Sequence, residues 1–167
     1  MAEPLVPNAV VNVCTNCIPV SGRLPRQWTQ DGVHVVVREI PCSGKIDAQY
    51  LMHALEGVTH GVCVVACPQG DCHLSQGNCR AEVRVRTVRQ LLAEIWLEPE
   101  RAELLHFSAD DSLAELDSMV RGAVQRLDEL VRRPVEEEAL VAAESVEDTG
   151  DWAAQRDSEA ERAVNAA

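Results

Sequence analysis

Seven of the 167 residues are cysteine, and their grouping is the feature with the most chemical content. Cys14 and Cys17 stand in Cys-Thr-Asn-Cys, Cys42 in Pro-Cys-Ser-Gly-Lys, and Cys67 and Cys72 in Cys-Pro-Gln-Gly-Asp-Cys-His. An odd count, clustered spacing and no signal peptide in MAEPLVPNAV point to metal binding or thiol chemistry in a reducing compartment rather than to disulfides. Thiolate sets suit zinc or an iron–sulfur cluster, and four cysteines are the usual complement of [2Fe–2S] and [4Fe–4S] centres. The spacing alone does not separate these. Glycines near the thiols (Gly44, Gly70, Gly77) would let backbone amides approach sulfur, from which a cluster gains more than zinc does. A Cys-x-x-Cys after a first strand also fits a dithiol redox pair, a reading that leaves three loop cysteines unexplained.

The remaining candidates are weaker. Cys63 falls inside an apolar run and reads as a small buried hydrophobe, and Cys79 opens a helical pattern as a bystander. His73 could replace a thiolate at one iron, but local hydrogen bonding or a partner-facing position is the simpler assignment. Asp71 reads as a turn residue or helix cap. No glycine-rich phosphate loop, Ser/His/Asp set or paired carboxylates stand out, so acid–base and nucleophilic catalysis have no candidate residues. Thiolate ligands without substrate machinery read as an electron conduit.

The elements that must position these thiols follow from hydrophobic patterning. Residues 9–13, 33–37 and 61–66 are short β-branched runs typical of strands buried on both faces, with 104–107 a weaker fourth. Helical patterns cover 47–56, with Asp47 as N-cap, then 79–95 and 112–131. Alternating strands and helices predict a small open, mostly parallel α/β sheet, Rossmann- or flavodoxin-like, with helices on both faces. In such sheets ligands bind beyond the carboxyl ends of the strands, which is where the five loop cysteines would fall.

Charge divides the chain. The net charge of −12 disfavours nucleic-acid partners, and residues 135–167 hold ten acidic residues against two arginines. The pattern predicts an iron–sulfur- or metal-binding domain over 1–134, ended by Pro134, and an acidic tail over 135–167. That tail would be disordered or a partner-docking helix with Trp152 as its large anchor. No apolar run approaches the roughly 20 residues of a membrane span, so a cytoplasmic protein is expected.

The stretch GVCVVACPQGDCHLSQGNCRAEVR over 61–84, with LLAEIWLEPERAELLHFSADDS after it, closely resembles the delta subunit of methyl-viologen-reducing hydrogenase. Cys14-Thr-Asn-Cys17 and Pro41-Cys42-Ser-Gly-Lys-Ile-Asp47 match the other cysteine loops of that family, and the resemblance covers about residues 9–132. It implies a [2Fe–2S] cluster that relays single electrons between a hydrogenase, formate dehydrogenase or other oxidoreductase module and a flavin-containing heterodisulfide-reductase A-like subunit. Flavin-based electron bifurcation would occur in that partner. The shared cysteines correspond to Cys14, Cys17, Cys42, Cys67 and Cys72, of which Cys17, Cys42, Cys67 and Cys72 are the preferred ligands and Cys14 the surplus one. The alternative is a structural zinc module at an interface of a multisubunit oxidoreductase. Two positions depart from the family: Asn16 stands where an aromatic residue is usual, and Trp96 where glycine is.

Overall fold

A computed structural model describes the backbone of residues 8–147, with side chains through residue 133. The expected role of Trp152 lies outside the described residues. The chain divides into two compact units, residues 1–130 and 131–167.

The first unit is built on five strands: β1 (Ala9–Cys14), β2 (Gln27–Gln30), β3 (Val33–Ile40), β4 (Gly61–Ala66) and β5 (Ala102–His106). Their order in the sheet is β2-β3-β1-β4-β5. The pairs β1/β3, β1/β4 and β4/β5 are parallel. Every residue of β1 and β4 is buried, Asn12 of β1 included, as their largely apolar runs require of strands covered on both faces. Helices α1 (Ala48–Ala54), α2 (Gly77–Glu94) and α3 (Leu113–Glu147) complete the order.

The period-2 alternation of the strands sends successive residues to opposite layers. Val11, Val13, Cys63 and Val65 pack beneath Leu116, Val120, Val124 and Leu127 of α3. Val10, Val62 and Val64 pack beneath Leu51 of α1 and Ala81, Val85, Val88 and Leu92 of α2. The α/β class expected from the sequence is therefore the observed one, a mostly parallel sheet between helical layers.

Three local features differ from the sequence expectation. An antiparallel edge strand, β2, joins β3 through Asp31 and Gly32, whose φ values of 51° and 86° fit a two-residue primed hairpin turn. Only four residues long and rich in glutamine, β2 offers no apolar run to detect. Helix α2 begins two residues earlier than the pattern suggests, because Gly77 and Asn78 are both buried in its first turn. Helix α3 does not stop at Pro134 but continues to Glu147. A proline costs its own N–H bond without forbidding the turns that follow. The expected cap forms, Asp47 accepting from the Gln49 amide at 2.8 Å, and the structure adds a reciprocal capping box of Ser112 and Glu115 on α3.

Candidate metal centre

Strand order fixes where the thiols can meet. The chain passes from β1 to β3 on one side and then to β4 on the other, so the carboxyl ends of β1, β3 and β4 form the topological switch point. Cys14 ends β1, Cys42 follows Pro41 after β3, and Cys67 follows Ala66 of β4. A single 3-10 turn over Thr15–Cys17 turns the chain back on itself and buries Cys17. The Sγ atoms of Cys14, Cys17 and Cys67 lie within 4.8 Å of one another, and Cys17 Sγ is 3.3 Å from Cys67 Sγ.

Cys42 and Cys72 meet beside this trio, on the first turn of α2. A Cβ placed on Gly77 would lie 2.5 Å from Cys42 Sγ and 3.1 Å from Cys72 Sγ, so both sulfurs rest against a position that only glycine leaves open. The Gly77 amide donates to Cys72 Sγ at 3.2 Å. Gly44 is pressed onto the same spot, since its Cβ would come within 2.6 Å of the Gly77 Cα. Gly70 serves the loop differently, with φ of 91° in the turn between Cys67 and Cys72.

Side chains that the sequence did not single out lock the loops together. Arg84 on α2 donates to the carbonyls of Gly44 and Ile46 and so pins the Cys42 loop. Asn78, buried on the same helix, donates to Pro68 O at 2.7 Å and pins the Cys67 loop. Thr15 Oγ1 and Asn16 Nδ2 both reach Pro41 O at 3.3 Å, tying the first cysteine loop to the second. Asn16 thus uses its amide as a strut where an aromatic residue would have packed. His106 Nδ1 donates to Cys67 O at 2.9 Å, which fixes its proton on that nitrogen.

Other candidates take up the positions their chemistry allows. His73 is exposed and lines a cavity of about 320 Å³ beside Cys67, together with Asp71 and Asp110. The Asp71 amide donates to Pro68 O at 3.2 Å, as a turn residue does. Cys63 is fully buried in β4, and burial raises its thiol well above the ordinary range. Cys79 is exposed on α2.

The electrostatics divide the thiols. A hydrogen bond from Cys17, helped by the amides of Ser43 and Asn16, lowers the Cys14 thiol to about 5 against the cost of burial. The same contact with Cys14, together with burial, raises Cys17 well above the ordinary thiol range. Burial also raises Cys67. At Cys72 burial opposes ionisation, but the amides of Asn78, Leu74 and Gly77 outweigh it and lower the thiol. Crowded thiols of this kind share protons until a cation takes their place. The Ser43 hydroxyl, buried beside Cys42, finds no hydrogen-bond partner among the described residues. Five converging thiols, an open glycine cradle and an unpartnered buried hydroxyl fit an iron–sulfur group, whose sulfurs would accept such donors.

Residues 11–131 match the family model for the delta subunit of methyl-viologen-reducing hydrogenase. The chain belongs to this family. It is 32% identical over 131 residues to the D-type iron-sulfur subunit of the F420-non-reducing hydrogenase of Archaeoglobus profundus, covering 72% of this chain and 93% of that one. It is 36% identical over 86 residues to the corresponding iron-sulfur subunit of the vhu F420-non-reducing hydrogenase of Methanocaldococcus jannaschii, 52% of this chain and 61% of that one. A third match, 30% over 89 residues, is to the A-type subunit of the ferredoxin:CoB-CoM heterodisulfide reductase of Methanosarcina mazei, spanning 53% of this chain but only 11% of that protein. Sequence of this family therefore occurs in small subunits as well as within a much longer polypeptide.

Proposed function

We propose that this delta-subunit homologue is an electron-transfer subunit that carries a [2Fe–2S] cluster on the thiols at the β1/β3/β4 rim. Cys17, Cys42, Cys67 and Cys72 would be its ligands and Cys14 the fifth, surplus thiol. Bound there, the cluster would accept and release one electron at a time. The residues of the chain would hold it: Gly77 leaves room for the Cys42 and Cys72 sulfurs, the Gly77 amide and the Ser43 hydroxyl supply donors to sulfur, and Arg84 and Asn78 fix the loops. Electrons would pass between a hydrogenase, formate dehydrogenase or related module and the flavin-containing subunit of a heterodisulfide-reductase-like complex. Bifurcation, where it occurs, would belong to that flavin partner. The names of the relatives support the hydrogenase and heterodisulfide-reductase setting. The observation that carries the reading is the convergence of five thiols from three loops at one switch point.

Iron and acid-labile sulfide analysis of protein prepared without oxygen tests it, with a spin-resonance spectrum after dithionite reduction. Two irons, two sulfides and a one-electron rhombic signal are expected. Stoichiometric zinc with no visible absorbance would overturn the redox reading in favour of a structural metal at an interface of the assembly.

A further inference from the structure

We infer that the outer face of α2 is a docking surface for another protein subunit, one that presents apolar side chains edged by carboxylates. The inner face of α2 is taken up by the core through Ala81, Val85, Val88 and Leu92, all buried. The opposite side of a surface helix is ordinarily polar. Here positions 79, 83, 87, 91 and 95 place Cys79, Val83, Thr87, Leu91 and Ile95 in an exposed row at four-residue spacing. The row winds slowly round the helix and extends about 24 Å at the usual rise per residue. Val83, Leu91 and Ile95 are 51%, 38% and 55% exposed, and the Thr87 hydroxyl already donates to Val83 O. Single exposed apolar residues are normal on any protein, but here, although Arg86, Gln90 and Glu94 are exposed among them, Leu91, Ile95, Trp96 and Leu97 gather at one end of the helix, and such a group marks an interaction site.

Trp96, where the seam ends, strengthens the argument. It is 96% exposed and sits at φ 61°, a left-handed conformation that costs a non-glycine residue. Bonds from Leu97 N to Leu92 O and from Trp96 N to Ala93 O show the helix ending in a Schellman turn with tryptophan at the position glycine favours. Backbone strain with no compensating burial is explained when the indole is an anchor for a partner, since tryptophan and arginine dominate binding hot spots.

Charge selects the partner's chemistry. Arg84 and Arg89 are turned to backbone carbonyls of the fold, whereas Arg80 and Arg86 are exposed and flank the seam. Both stand beside the N-terminal half of the row, while Glu94 is exposed near its C-terminal end, on a chain of net charge −12. Carboxylates on the partner polypeptide would pair with these arginines. A shallow, open depression lies between Gln76, Cys79, Arg80, Val83 and Arg84. It opens next to Gly77, on which Cys42 and Cys72 rest, so a partner seated here would abut the cysteine rim. The inference rests on the reading of this chain as one subunit of a larger assembly, and not on the type of metal centre.

The test uses the full chain, tagged and purified with its complex from cells that make it, carrying a photoreactive benzoylphenylalanine in place of Val83 or of Leu91. Cross-links to a different polypeptide, at a segment where Asp or Glu flanks apolar residues, are expected. The double variant Arg80→Glu and Arg86→Glu, and separately Trp96→Gly, should retain that polypeptide about tenfold less well while keeping the parent's iron and sulfide content. Cross-links confined to this chain would overturn the proposal in favour of contact between copies. Binding of the tagged chain to vesicles of phosphatidylcholine and phosphatidylglycerol, abolished by the same variants, would overturn it in favour of a lipid surface. Unchanged retention in all variants would overturn it outright. Cross-links as expected in a complex whose chain holds zinc would leave the docking face standing and sink only the cluster.

Discussion

Gly77 is the residue on which the geometry of the centre turns. The Cys42 and Cys72 sulfurs occupy the space its Cβ would need. Gly77→Ala should therefore cost about 1–3 kcal/mol by overpacking and release iron, whereas Gly57→Ala, which meets no neighbour despite its positive φ, should keep the iron and bear only backbone strain. Iron content after gel filtration, alongside denaturant midpoints, checks both. Cys14 gives the pH dependence of the metal-free chain. Its thiol ionises at about 5 when folded, against an ordinary value of 9.0. Between those values the unfolded chain binds the extra proton, so the Cys14 contribution to stability grows as pH rises from about 5 toward 9 and is lost as pH falls through about 5. Urea midpoints of the metal-free protein across that window should climb more steeply than those of Cys14→Ser; parallel curves would contradict the assignment.

Among the elements, α2 has the most varied duties. Its first turn carries the glycine cradle and Asn78, its second turn carries Arg84, its inner face closes one core layer, and its outer side mixes Val83 and Leu91 with exposed Arg86, Gln90 and Glu94. The strain at its C-terminus is separable from the rest. Trp96→Gly should stabilise the isolated protein by about 1 kcal/mol, through relief of the left-handed conformation, even as it weakens assembly. Thermal unfolding of the isolated variant, rising by a few degrees, is the check. Most of the element pattern is legible in the residues: valine-rich runs mark β1, β3 and β4, and Asp47 marks the start of α1. The β2 hairpin escapes that reading because its strand is polar and partly exposed, although Asp31-Gly32 is a strong turn signal in its own right.

For the whole molecule, a metal centre on these thiols would couple to the fold. The thiol-bearing loops have little regular structure beyond two 3-10 turns, and the centre would close them over the end of the sheet. Stripping the metal should cost about 3 kcal/mol, the mass-action gain of a group held at a few hundredfold its dissociation constant, and lower Tm by roughly 10 °C. Calorimetry before and after chelation under reducing conditions measures this; an unchanged Tm would mean that the thiols carry no resident group. Among the described residues no helix is long and apolar enough to cross a membrane.

Local pattern was enough to set the α/β class, the parallel strands and the placement of cysteines just after them, because each depends on neighbours in the chain: β-branched runs, helical periodicity and short loops. It was enough to identify the family too, through cysteine loops whose spacing survives within single segments. Which thiols touch was settled only by folding, since Cys17 and Cys67 are brought to 3.3 Å across fifty residues of chain. The same holds for the meeting of Gly44 with Gly77, the bracing of separate loops by Arg84 and Asn78, and the outward face of the apolar row on α2. Those facts depend on strand order and helix rotation, which join distant segments through packing and leave no mark on the spacing of neighbours.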